Sequence, residues 1–131
     1  MDIQSRVSKI LLKKEGFIME AKEIKFRDEK AKLRYNKLFR GRYEERELGN
    51  NIEKALVNIK SNVYCGIQIP KKLIPKAYSK NYKINNLWKY NLPNGWRLLY
   101  SIQSLNKITI IAVIIEYLDH KNYEKRFSYF V

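Results

Sequence analysis

Pro93-Asn94-Gly95 stands between two runs dense in aromatic and apolar residues, Leu87 to Leu92 and Trp96 to Ile102. No other feature limits the fold of this chain as much. A proline that fixes φ, followed by two residues that accept positive φ, is the composition of a tight reversal, so the runs are expected to be antiparallel neighbours. Along the second run Trp96, Leu98, Tyr100 and Ile102 should point to one side and Arg97, Leu99 and Ser101 to the other, because side chains alternate along a strand. Leu105-Asn106 then turns the chain into Ile108 to Ile115, whose near-continuous β-branched content suits a central strand covered on both faces.

The amino-terminal half carries a different period. Asp28 is placed to cap a helix in which Ala31, Tyr35, Leu38 and Phe39 recur at helical spacing up to Gly41. A second helix follows, with Leu48, Ile52, Ala55, Leu56 and Ile59 on one stripe, so the two read as an antiparallel hairpin whose stripes are core. Ahead of them Lys22 to Phe26 reads as a short strand, and Ile3, Val7, Ile10 and Leu11 as a short basic amphipathic helix. Met19, where the pattern resets, divides the chain into a basic helical extension over 1–18 and a single domain over 19–131. After Gly66, Ile67 to Asn86 reads as an irregular basic connection interrupted by Pro70 and Pro75. The expected fold is α+β: a helical hairpin on one face of a twisted, mainly antiparallel sheet of about four strands, with the other face basic.

Charge then narrows the function. The 131 residues carry 27 Lys and Arg against 13 Asp and Glu, a net charge of +14 that points to a polyanionic partner, nucleic acid before an anionic membrane surface. From Val63 to Ile115 the charged residues are Lys71, Lys72, Lys76, Lys80, Lys83, Lys89, Arg97 and Lys107, with no Asp or Glu among them. A solvated face normally mixes both signs, so this segment reads as an anion-binding face. One cysteine, Cys65, and one histidine, His120, exclude an internal disulfide and a Cys/His zinc site. The longest apolar run falls far short of the roughly 20 residues a membrane helix needs, and lysines interrupt the amino-terminal apolar positions, so a cytoplasmic location is expected.

No Gly-rich phosphate loop, metal-ligand cluster or Gly-x-Ser-x-Gly elbow is present. No cofactor is expected. RNA can be cleaved without metal when its own 2′-hydroxyl attacks the adjacent phosphorus, which requires a base, an acid and cations on the phosphoryl oxygens. Arg97 and Lys89 lie on the two arms of the expected hairpin near cross-strand positions, and His120 and Tyr123 follow the central strand three apart. An arginine between Trp96 and Leu98 is costly if buried unpaired; its structural alternative is an ion pair with Glu116. Trp88 and Trp96 are candidates to stack on bases, and Lys71, Lys72, Lys76, Lys80 and Lys83 to hold flanking phosphates.

The segment from Leu87 through Trp88, Lys89, Pro93-Asn94-Gly95, Trp96, Arg97, Leu98 and Tyr100 to Ile102 resembles the Gly-aromatic-Arg-Leu-hydrophobic-Tyr signature of the RelE/ParE toxin superfamily. Asp119-His120-Lys121-Asn122-Tyr123 is similar to the short motif after the last strand of its ribonuclease members, and the likeness extends over about residues 20–128. The resemblance implies an endoribonuclease acting on messenger RNA in the ribosomal decoding site and restrained by an antitoxin protein. It places Arg97 on the phosphate, Lys89 as a strand lysine, and His120 and Tyr123 in the acid/base and stacking region. The long 67–86 connection, the single strand lysine and the leading 18 residues depart from the family pattern. Gyrase-directed relatives share the fold without cleaving RNA, so a non-catalytic RNA- or ribosome-binding module, or a gyrase-directed inhibitor, is the alternative. Membrane attachment through residues 1–18 ranks last.

Overall fold

A computed structural model describes residues 18–128, and the basic helix read over 1–18 lies, but for Ile18, outside them. The elements run β1 (Glu23–Phe26), α1 (Glu29–Leu38), α2 (Tyr43–Ser61), β2 (Ile67–Gln68), α3 (Lys76–Tyr82), β3 (Trp88–Asn91), β4 (Arg97–Ser104), β5 (Ile110–Leu118) and α4 (His120–Arg126). The fold is α+β. Its sheet has the order β1-β5-β4-β3-β2, antiparallel except where β1 runs parallel to β5.

Local chemistry accounts for the element ends. Asp28 caps α1 by accepting the Ala31 N–H at 2.8 Å, and that bond, with Arg27 beside it, holds the Asp28 carboxyl below its ordinary range. Asn94 and Gly95 adopt φ of 61° and 79°, the turn that joins β3 to β4, and the Leu92 N–H closes it on the Trp96 carbonyl at 2.9 Å. Asp119 caps α4 by accepting from the Asn122 N–H at 2.8 Å, which starts that helix one residue past β5.

The sheet is covered on both faces. The α1/α2 hairpin packs Leu38, Leu48, Ile52 and Ile59 against Leu98, Tyr100, Ala112, Ile114 and Tyr117. On the opposite face Ile69, Tyr78, Leu87, Leu99, Ile115, Leu118, Tyr123 and Phe127 form a second apolar cluster. Two expectations are corrected here. The second face is not an open basic surface, because α3, α4 and the turn around Lys71–Leu73 lie over it and keep their lysines outward. The sheet has five strands, not four, because the segment read as wholly irregular supplies the two-residue edge strand β2 and the seven-residue α3. Pro75 does not forbid α3: it stands at the cap, where a missing N–H costs nothing.

β4 and β5 are staggered by a bulge. Leu99 opposes Glu116 while Tyr100 opposes Ile114, which leaves Ile115 as the extra residue on β5. Regular alternation would put Glu116 beside Ile114 under the helical hairpin. The extra residue instead sends both Ile115 and Glu116 to the second face, where Glu116 meets α3 and α4. Among the described residues no helix is long and apolar enough to cross a membrane.

Candidate functional site

The bulge and the hairpin turn bring α4 down over the start of β4. Asn91 is the direct partner of Arg97 and Leu99 that of Lys89, so Arg97 and Lys89 are diagonal neighbours two residues apart on one face. Tyr123 of α4 lies across them. Its ring centre is 5.5 Å from the Arg97 guanidinium carbon and 5.2 Å from Lys89 Nζ, and the ring is stacked on Phe127 with centroids 4.5 Å apart.

Arg97 is poorly satisfied in this position. Its Nη1 donates to the Trp96 carbonyl at 3.2 Å, but its Nε is buried with no hydrogen-bond acceptor. Neither Arg97 nor Lys89 forms an ion pair among the described residues. The π face of Tyr123 offsets only part of this: a cation over a ring returns about 0.5–2 kcal/mol, and an unmet buried donor costs about 1–3 kcal/mol. Two like charges on one ring add repulsion. An anion at the guanidinium end of Arg97 and at Lys89 Nζ offsets the repulsion between the two cations.

Glu116, the structural alternative for Arg97, is engaged elsewhere. It accepts a short hydrogen bond from Tyr78 Oη and another from Arg126 Nη1 at 2.8 Å, and Arg126 also donates to Tyr78 Oη at 3.2 Å. Burial, reinforced by the Glu116 hydrogen bond and charge, pushes the Tyr78 phenol far above its ordinary value, so it stays a donor. This network ties α4 to α3 and β5 and thereby seats Tyr123. Sequence reading gave Arg126 and Tyr78 no role. The available signal was Glu116 itself, a lone carboxylate in a buried strand that had to find donors.

The remaining expected residues divide. His120 opens α4 on the same side as the turn, and its Cβ lies 3.2 Å from where a Cβ on Gly95 would stand. The imidazole is exposed and its Nε2 is paired with Glu124 Oε1. Trp88 is 5% exposed and sits within the helical-hairpin cluster between Tyr64 and Tyr100, so its ring is closed to a base. Trp96 packs on Tyr117, also on the hairpin side and away from Arg97. Lys71, Lys72, Lys76, Lys80 and Lys83 are all exposed on the segment that covers the Arg97 face, and none is in an ion pair among the described residues. The described residues contain no group of three or more His, Cys, Asp or Glu able to hold a metal ion.

Comparison of the chain with protein-family models, curated proteins and solved structures returns no match.

Proposed function

We propose that the chain is a metal-independent endoribonuclease of the RelE kind, acting in the cytoplasm on ribosome-bound messenger RNA and held in check by an antitoxin protein. The observation that carries this reading is Arg97: a cation with a buried, unmet Nε beside a second unpaired cation, Lys89, on the face of Tyr123. A phosphodiester at the guanidinium end supplies countercharge to both cations, and its oxygens gain charge as the 2′-hydroxyl, losing its proton to solvent water, attacks phosphorus. Arg97 then holds that charge in a planar fork and Lys89 adds a point charge. Tyr123 orients both cations, and His120, one turn earlier on α4, is the candidate to protonate the departing 5′-oxygen once Glu124 releases its Nε2. The order of strand, helical hairpin and antiparallel strands supports the family reading, as do the exposed lysines for the flanking phosphates.

A second reading is a non-catalytic RNA- or ribosome-binding module. One feature favours it: the only imidazole of the chain is engaged by Glu124, while Arg97 and Lys89 are in no ion pair among the described residues. Incubation with RNA and with translating ribosomes in excess chelator separates the two. Fragments ending in 2′,3′-cyclic phosphate support the enzyme; intact RNA in a salt-sensitive complex supports the module.

A further inference from the structure

We propose a nucleotide-binding site apart from Arg97, in the hollow between α1 and the stretch of β5 that runs on past its pairing with β1. β1 ends at Phe26, opposite Ile114, whereas β5 continues to Leu118, so the sheet has a step there. α1 roofs the step and leaves a hollow of about 140 Å³. Since one water needs roughly 10–15 Å³ by the same measure, there is room for a planar ring system. Its lining includes apolar groups of Phe26, Ile115 and Tyr117 below and of Ala31 on the roof, and Arg27, Lys30 and Arg34 ring it with positive charge.

Two of those cations rest on aromatic rings. Arg34 lies over the Tyr117 ring at 4.5 Å and Arg27 over the Tyr82 ring at 4.4 Å, contacts that restrict each guanidinium. Arg27 already holds Asp28 at 3.0 Å. Arg34 is exposed, with no carboxylate partner and no side-chain hydrogen bond among the described residues, so its donors are accessible to a phosphate.

Glu116 selects the ligand class. It lines the same hollow, with Oε2 taken by Tyr78 and Arg126 and no partner on Oε1 among the described residues. A bare phosphate would meet that carboxylate with repulsion and leave the apolar lining uncovered. A base carrying an amino group covers that lining and donates to Oε1, while its phosphate reaches the arginine edge. The fitting ligand is therefore a nucleotide, free or as one unit of a strand. Nothing in this assignment depends on cleavage at Arg97.

The test is titration of the ¹⁵N-labelled full chain with adenosine 5′-monophosphate, inorganic phosphate, tetra-adenylate and a Leu/Glu-alternating peptide, followed by amide shifts. The nucleotide should move Lys30 to Arg34 and Ile114 to Tyr117 at concentrations where phosphate moves neither. Arg34→Ala should weaken it about tenfold or more, the size of one charge-assisted pair. Ala31→Leu, which fills the hollow on a helix that tolerates leucine, should abolish the shifts with the spectrum still dispersed as in the parent, and Arg97→Ala should leave them intact. Tighter binding of tetra-adenylate identifies a strand as the source, and equal binding identifies the free nucleotide; both support the site. Equal shifts with phosphate, binding retained in Ala31→Leu, displacement of the nucleotide by the peptide, or shifts that centre on Tyr123 and vanish in Arg97→Ala would each overturn it.

Discussion

Arg97 reaches the face of Tyr123 from β4, 5.5 Å from the ring centre, and its Nε is buried there without an acceptor. A side chain whose only role is structural would be expected to have found a partner, and Glu116, two positions from its register partner Leu118, was within the same strand pair. The chain instead commits Glu116 to Tyr78 and Arg126. An arginine left without a carboxylate in this way carries a cost in stability, and that cost is the ground for the phosphate role proposed for Arg97.

Arg97→Met follows directly from that cost. It keeps the packing on Tyr123, removes an unmet donor and relieves the repulsion with Lys89, so it should unfold no more easily than the parent and up to about 1–2 kcal/mol less easily in urea. RNA binding or cleavage should fall on the order of a hundredfold at the same time. A destabilised Met variant would mean that Arg97 is a structural residue after all.

Anions should report the same site thermally. Sulfate or phosphate that binds the native state raises Tm with concentration, and the rise should be smaller in Arg97→Met than in the parent. Equal rises would place the anion elsewhere on the surface.

Tyr78 contributes to the alkaline side, together with other tyrosines that burial pushes up, Tyr100 above all. The Tyr78 phenol is held far above the usual value in the folded chain, so the unfolded chain ionises first as pH rises. The stabilisation is whole below about pH 10 and is lost progressively above it. Tyr78→Phe should lower stability near neutrality by about 1 kcal/mol, because Glu116 loses a donor, and should flatten the decline above about pH 10. Circular dichroism during a pH-stepped urea series measures both.

Gly95 holds the turn against α4. With φ at 79° and the His120 Cβ where a new methyl would press, Gly95→Ala should cost roughly 1–2 kcal/mol. It should also shift the amide resonances of α4 more than those of β1. Gly41, whose added methyl would meet only the Glu45 side chain, is the control: Gly41→Ala should leave α4 unmoved.

Much of this arrangement was legible in the chain because local chemistry and tertiary packing agree. The Asp28 cap, the stripes of α1 and α2, the Pro93-Asn94-Gly95 reversal and the alternation along Trp96 to Ile102 all stand where pattern reading puts them. What escaped it depends on pairing between distant segments. Ile67–Gln68 becomes a strand because Lys89 and Trp88 offer an edge, and the 69–84 segment covers the second face because Ile69, Tyr78 and Ile84 pack into its cluster and Tyr78 reaches Glu116. Trp88 illustrates the limit for the site: strand alternation puts it with Tyr90 and opposite Lys89, but the burial of that side by Tyr64 is not visible locally.

The lysine-rich segment offers a graded test. Lys71, Lys72 and Lys76 changed together to Gln should weaken RNA or ribosome binding and flatten its dependence on log salt, by close to one unit of slope for each phosphate no longer neutralised. Single-turnover cleavage at saturation should change little. An unaltered slope would show these lysines to be solubilising only.

The most direct measurement is the product of reaction. Messenger RNA, free and on translating ribosomes, is incubated in excess chelator with the parent chain and with Arg97→Ala, and the new ends are analysed. The proposed chemistry requires 2′,3′-cyclic phosphate and 5′-hydroxyl ends from the parent, reduced on the order of a hundredfold or more in a folded Arg97→Ala. Intact RNA with both proteins, or equal cleavage by both, would contradict it.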